Sequence, residues 1–262
     1  MSQCIRLVAQ VVAAAAFLST ARLPASTAYV SLCCNAPSTA GVFNASTLAQ
    51  TNTIVTGSGG DGMALSPDGT KMFVTVDYKS QLEVIATATG TILATVPVPV
   101  GVSGEAPLEL AIGPDGSRVY VFAPQARPNP YLVAIDTTTY KVAQEANVSN
   151  GGSLGPLLVS PDGSQLYYEV GYANEYIQVV DAISLAPLKQ IPVNGFPSDL
   201  AVTPSGLILM TDSNNQLLVI NPKSSSVNVF PLPNDNQGTP GVVISSPDST
   251  TALVLGSLTS SD

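Results

Sequence analysis

One motif recurs along this chain and constrains its fold more than any other feature: an apolar run, the turn Ser66-Pro67-Asp68-Gly69, and a second apolar run ending at Val76. Ser suits the first position of a β-turn, Pro fixes φ at the second, and Gly accepts the positive φ that such turns often need. Residues 62–76 therefore read as a β-hairpin. The motif returns as Gly113-Pro-Asp-Gly116, Ser160-Pro-Asp-Gly163, Thr203-Pro-Ser-Gly206 and Ser246-Pro-Asp-Ser249, with its prolines at 67, 114, 161, 204 and 247. A hairpin cannot bury its apolar faces alone. Reiterated at this interval, it can bury them against its own copies.

Between the hairpins the strand signal continues, in four-stranded units labelled A to D in chain order. The first unit takes residues 62–65, 72–76, 82–85 and 92–96, and the second 108–112, 119–122, 131–135 and 141–145. The third takes 157–159, 166–170, 177–180 and 188–191, and the fourth 200–202, 207–211, 217–220 and 226–230. A fifth opens at 242–245 and 252–255, and three strand-like pieces (27–32, 41–44 and 52–56) precede them all. Asp136, Asp181 and Asn221 each follow a strand C and supply a side-chain acceptor for the next turn, a structural role. Ala86 stands at that place in the first unit. No apolar recurrence at helical spacing is sustained after residue 30, so the class is all-β. The expected architecture is a β-propeller of four-stranded antiparallel blades, about five to six blades' worth, with a ragged C-terminal edge. Ser249, in place of a turn glycine, should make the last hairpin the loosest.

Residues 66–75, 82–85 and 89–96 (Ser-Pro-Asp-Gly-Thr-Lys-Met-Phe-Val-Thr, Leu-Glu-Val-Ile, Thr-Gly-Thr-Ile-Leu-Ala-Thr-Val) resemble a YVTN-type β-propeller repeat, as does Gly195-Phe-Pro-Ser-Asp-Leu-Ala-Val-Thr-Pro204. The resemblance implies the propeller fold and an extracytoplasmic address. It implies no particular activity, since that family spans several functions.

Residues 1–25 read as an export signal, against an N-terminal helix or strand of the fold: Arg6, an apolar run over 7–18, and a cut at Leu23-Pro-Ala25 or Ser26-Thr-Ala28, the earlier suiting the fold better. The propeller domain is then 26–262, exported to the periplasm, the cell surface or the medium. Cys4 leaves with the signal, and the adjacent Cys33 and Cys34 read as free, buried thiols, against a strained disulfide ring between the two, since nothing else in the chain forms a disulfide framework. Removing the signal also removes Arg6 and Arg22, taking the net charge from −9 to −11. With so few and scattered Lys and Arg, nucleic acid is excluded as a partner, and the mature chain has no expected membrane span.

In a four-stranded meander the A–B and C–D turns share one end and the B–C and D–A connections the other. The first set is short and uniform here; the second varies, so binding is assigned to it. Two constellations lie there. Asp61, Glu105, Glu109 and Asp199 precede strand A and could hold Ca²⁺ or Mg²⁺ through oxygen ligands, against the reading of a solvated acidic rim. Glu109 and Asp199 stand at matching distances from their turn prolines. Tyr78, Tyr172 and Tyr176, with Arg127 and Asn174, could form a platform for a sugar or peptide, against the reading of ordinary strand tyrosines. The chain has no His, which removes His-based nucleophile systems and His metal ligands. The expected function is a non-enzymatic exported scaffold that binds a protein or polysaccharide partner and has no obligatory cofactor. The alternative is a lactonase-type hydrolase that uses a divalent ion at the acidic cluster.

Overall fold

The computed structural model describes residues 9–10, 27–32, 39–56, 62–76, 80–98, 109–123, 131–147, 156–170, 175–233 and 240–256. Among them there is no helix, and every strand pairing is antiparallel. The chain divides into two compact units, residues 1–145 and 146–262.

In the first unit, β1 (Ala9–Gln10), β2 (Thr27–Leu32), β3 (Thr39–Asn44) and β4 (Gln50–Val55) form one meander. The second sheet is β5 (Met63–Leu65), β6 (Lys71–Val76), β7 (Gln81–Ala86) and β8 (Ile92–Pro97). The third is β9 (Glu109–Ile112), β10 (Arg118–Ala123), β11 (Tyr131–Asp136) and β12 (Lys141–Asn147). The second unit holds β13 (Leu158–Val159), β14 (Gln165–Val170), β15 (Tyr176–Asp181) and β16 (Pro187–Pro192) as one sheet. A further sheet follows in β17 (Pro197–Val202), β18 (Ile208–Asp212), β19 (Gln216–Asn221) and β20 (Ser226–Pro231). The last sheet described is two-stranded, β21 (Pro240–Ser245) with β22 (Ala252–Gly256). The sequence reading had three strands in the first meander. The structure adds β1, drawn from the stretch read as an export signal and paired through Ala9 with Val30 and Gln10 with Tyr29.

Each sheet buries alternate residues of one strand on opposite faces, as the period of a strand requires. On β6, Met72 and Val74 join Ala40, Val42 and Ile54 of the first sheet, while Phe73 between them joins Leu110, Val119 and Val121 of the third. Both faces of β6 are thus covered, which is why its sequence reads as a continuous apolar run rather than an alternating one. In the second unit Ile177, Val179 and Ile191 of one sheet meet Leu200, Ile208 and Met210 of the next. Strands D contribute little to this packing, one buried residue each from β4 (Ile54), β8 (Val96) and β16 (Ile191), and β12 is exposed along almost its whole length.

The turns are built alike. Ser66 N–H donates to the Lys71 carbonyl (2.9 Å) and Gly69 N–H to the Ser66 carbonyl (2.8 Å). Ser66 Oγ donates to Asp68 Oδ1 (2.6 Å), and Asp68 in turn accepts the Thr70 N–H (3.0 Å). The same set returns at Ser160/Asp162/Ser164 and at Ser246/Asp248/Thr250. Ser249, expected to loosen its turn, takes a φ of 59° and closes the hairpin with the same two backbone bonds as its glycine counterparts. Its hydroxyl also accepts the Ser205 N–H at 3.0 Å, tying the last hairpin to the preceding one.

The capping side chains do what their positions imply. Asp136 Oδ1 accepts the Thr138 and Thr139 N–H groups at 3.0 and 2.7 Å, and Asp181 repeats this with Ile183 and Ser184 at 3.0 and 2.7 Å. Asn221 and Asn44 cap in the same way.

Candidate functional site

The carboxylates of the short turns are consumed locally. Hydrogen bonds from Ser160 and Ser164 hold the Asp162 carboxyl down to about 2, and those from Ser246 and Thr250 hold Asp248 equally low. Asp68 and Asp115 are lowered by the same kind of donors. Groups so fully engaged with their own backbone are structural.

Of the acidic constellation, Asp61 and Glu105 lie outside the described residues. Glu109 begins β9 opposite Phe122, and Asp199 on β17 lies opposite Thr211. These are the same register position in their respective sheets, as their spacing from the turn prolines implies. Asp199 Oδ2 accepts the Val243 N–H at 2.9 Å, joining β17 to β21. Beside it, Thr211 Oγ1 donates to the Gly241 carbonyl at 3.3 Å. Burial pushes the Asp199 carboxyl above its ordinary value of 3.8, against the opposing pull of the Val243 and Leu200 N–H donors. Among the described residues no group of three or more acidic or thiol side chains is placed to hold a metal ion.

Of the aromatic constellation, Tyr78, Arg127, Tyr172 and Asn174 lie outside the described residues, as do Cys33 and Cys34. Tyr176 opens β15, half-buried between Val170 and Pro192, and burial raises its phenol. Tyr168, on the same face two pairs further along β14, is more deeply buried, and its phenol is raised further.

The structure adds a feature that residue-by-residue reading missed, where the connection from β16 to β17 meets the β18–β19 turn. Asp212 is fully buried. Its Oδ1 accepts the N–H groups of Asn214 (3.1 Å) and Gln216 (2.8 Å), and Asn214 Nδ2 donates to Oδ2 at 3.3 Å. Gly195 rests against this knot with a φ of +103°, and a Cβ there would stand 2.5 Å from both Asp212 Oδ2 and Asn214 Nδ2. Only glycine fits, for backbone conformation and for space. The next residue, Phe196, is 55% exposed, and its carbonyl accepts the Ser213 N–H at 2.9 Å. Asn215, with a φ of 60°, donates through Nδ2 to the carbonyls of Leu232 (3.1 Å) and Pro233 (3.3 Å). The sequence signal for this site is Gly195-Phe196-Pro197 followed by the polar turn Asp212-Ser-Asn-Asn215.

The repeated meanders, stacked face to face within each unit, define an all-β protein of the β-propeller class. Solved structures carry the same fold. This chain resembles Kuenenia stuttgartiensis hydrazine synthase with a TM-score of 0.73 at 20% identity, over 87% of this chain and 70% of that one. It also resembles a functionally unknown protein from Desulfotomaculum acetoxidans DSM 771, with a TM-score of 0.68 at 19% identity, over 83% and 69% of the two chains. No family model and no curated protein matches the chain. At such identities the likeness is one of fold.

Proposed function

We propose that this protein is an exported, non-enzymatic β-propeller whose blades form a rigid platform for a protein or polysaccharide partner, held through the B–C and D–A connections. The observation that carries this reading is the division of labour between the two ends of the sheets. At one end, carboxylates and hydroxyls are spent on their own turns, as at Asp162 and Asp136. At the other, a buried hydrogen-bonded knot holds an aromatic side chain out in solvent. Varied connections on a repetitive scaffold are where binding evolves most readily. The Asp199 carboxylate, a candidate metal ligand on sequence grounds, accepts an inter-strand N–H, which favours the scaffold over a divalent-metal hydrolase.

The test is turnover of γ- and δ-lactones and aldonic esters by purified protein, with and without millimolar Ca²⁺, alongside its melting curve. The scaffold reading expects no turnover and no change in Tm with Ca²⁺. Turnover that is lost in Glu109→Gln or Asp199→Asn contradicts it and establishes the hydrolase.

A further inference from the structure

We infer that Phe196, with the polar side chains around it, is a binding site for neutral saccharide units of a polysaccharide. The inference rests on the scaffold reading and gives it a ligand class and an anchoring residue.

Three observations converge on it. The first is pre-organisation. Gly195 turns the chain at φ +103°, against the Asp212 and Asn214 side chains, and Asn215 at φ 60° is held by its own N–H on the Asp212 carbonyl (3.2 Å). The result is an aromatic ring whose main chain is anchored through the Ser213 N–H on the Phe196 carbonyl while the side chain stays 55% exposed. A ligand that meets this ring bears little of the cost of ordering it.

The second is chemistry. The π face of Phe carries negative quadrupole density and attracts the weakly positive C–H bonds on the flat side of a pyranose ring. Asn194, Ser198, Ser213 and Asn214 are exposed in the same two segments. Their amides and hydroxyls can each donate or accept, which suits the hydroxyls ringing a sugar.

The third is charge. In residues 194–198 and 213–216 the side chains are all uncharged, and the neighbouring Asp212 is buried and occupied by three N–H donors. Among these described residues an acidic polymer finds no cationic side chain to pair with, and the chain's net charge of −9 repels polyanions. The surround therefore favours a neutral saccharide over a polyanion.

The experiment measures binding of the full mature protein to four neutral polysaccharides (dextran, xylan, galactomannan and a β-1,3-glucan), with polygalacturonate as the acidic control. At least one neutral polymer should bind and polygalacturonate should not. Phe196→Ala should weaken binding about tenfold or more, as truncation of an aromatic anchor does, with Tm unchanged because the side chain is exposed. Phe196→Trp should restore binding. Phe230→Ala, which removes a ring 50% exposed on strand β20, should leave it intact. Failure of all four neutral polymers, equal binding of polygalacturonate, or full binding by Phe196→Ala overturns the inference. These failures leave the scaffold reading standing, whereas lactone turnover removes that reading whatever Phe196 does.

Discussion

Asp199 and the turn aspartates respond to pH with opposite signs. Asp68, Asp115, Asp136, Asp162 and Asp181 are held below the ordinary 3.8 by donors within their own turns. Their contribution is complete above that value and is lost as pH falls through the lowered one, near 2 for Asp162. Asp199 is raised by burial, so its contribution is complete below 3.8 and fades as pH rises through the folded value. Asp199→Asn keeps a carbonyl for the Val243 N–H and removes the buried charge. We expect it to raise stability at pH 7 by less than about 1 kcal/mol, since solvent screens part of the charge, and to give no gain below pH 3. Denaturant melts at the two pH values check this, and equal stability of variant and parent at pH 7 would show that the Asp199 carboxylate carries no burial penalty. At this scale the sequence was only partly legible. The Ser-Pro-Asp-Gly turns and the Asp136, Asp181 and Asn221 caps could be read because their partners lie within a few residues. The left-handed residues that end the C–D turns, Leu48, Tyr140, Leu185 and Ser225, could not. Nothing about Leu or Tyr announces a positive φ, and the turn imposes it.

The same register position is buried in one sheet and open in another. Phe73 on β6, Tyr120 on β10, Tyr167 on β14 and Leu209 on β18 hold equivalent places, each at most 4% exposed. The corresponding Leu253 on β22 is 52% exposed, together with Val242, Ile244 and Leu255 on the same face. The opposite face of that hairpin carries Val243, which is buried. Leu209→Ala should cost about 2–5 kcal/mol, through lost burial and the cavity left behind. Leu253→Ala should stay within about 1 kcal/mol, as exposed substitutions do. Urea titration of the two variants compares them directly, and equal losses would mean that the two sites are equally packed. Strands were legible to within a few residues because each is a short apolar run between turn signals, as at β6 and β11. β1 was not, since its pairing with β2 is non-local and two residues carry no period.

Across the molecule the fold follows from one arrangement: meanders whose middle strands are covered on both faces and whose outermost strands face water. The proline-bearing hairpins made this legible, because their spacing matches a blade and their apolar runs need a neighbour on each side. The site at Phe196 was legible only in its two pieces, residues 195–197 and 212–215, because their meeting, through the Ser213 N–H on the Phe196 carbonyl and Gly195 against the Asp212 and Asn214 side chains, is encoded by no local pattern. The most direct test of the central claim is native-state hydrogen exchange resolved by strand. Strands β6, β7, β10, β11, β14, β15, β18 and β19 should exchange slowest, and the exposed β8, β12, β16 and β20 fastest. Equal protection of inner and outer strands, or loss of protection in the proline-bearing hairpins, would contradict the account.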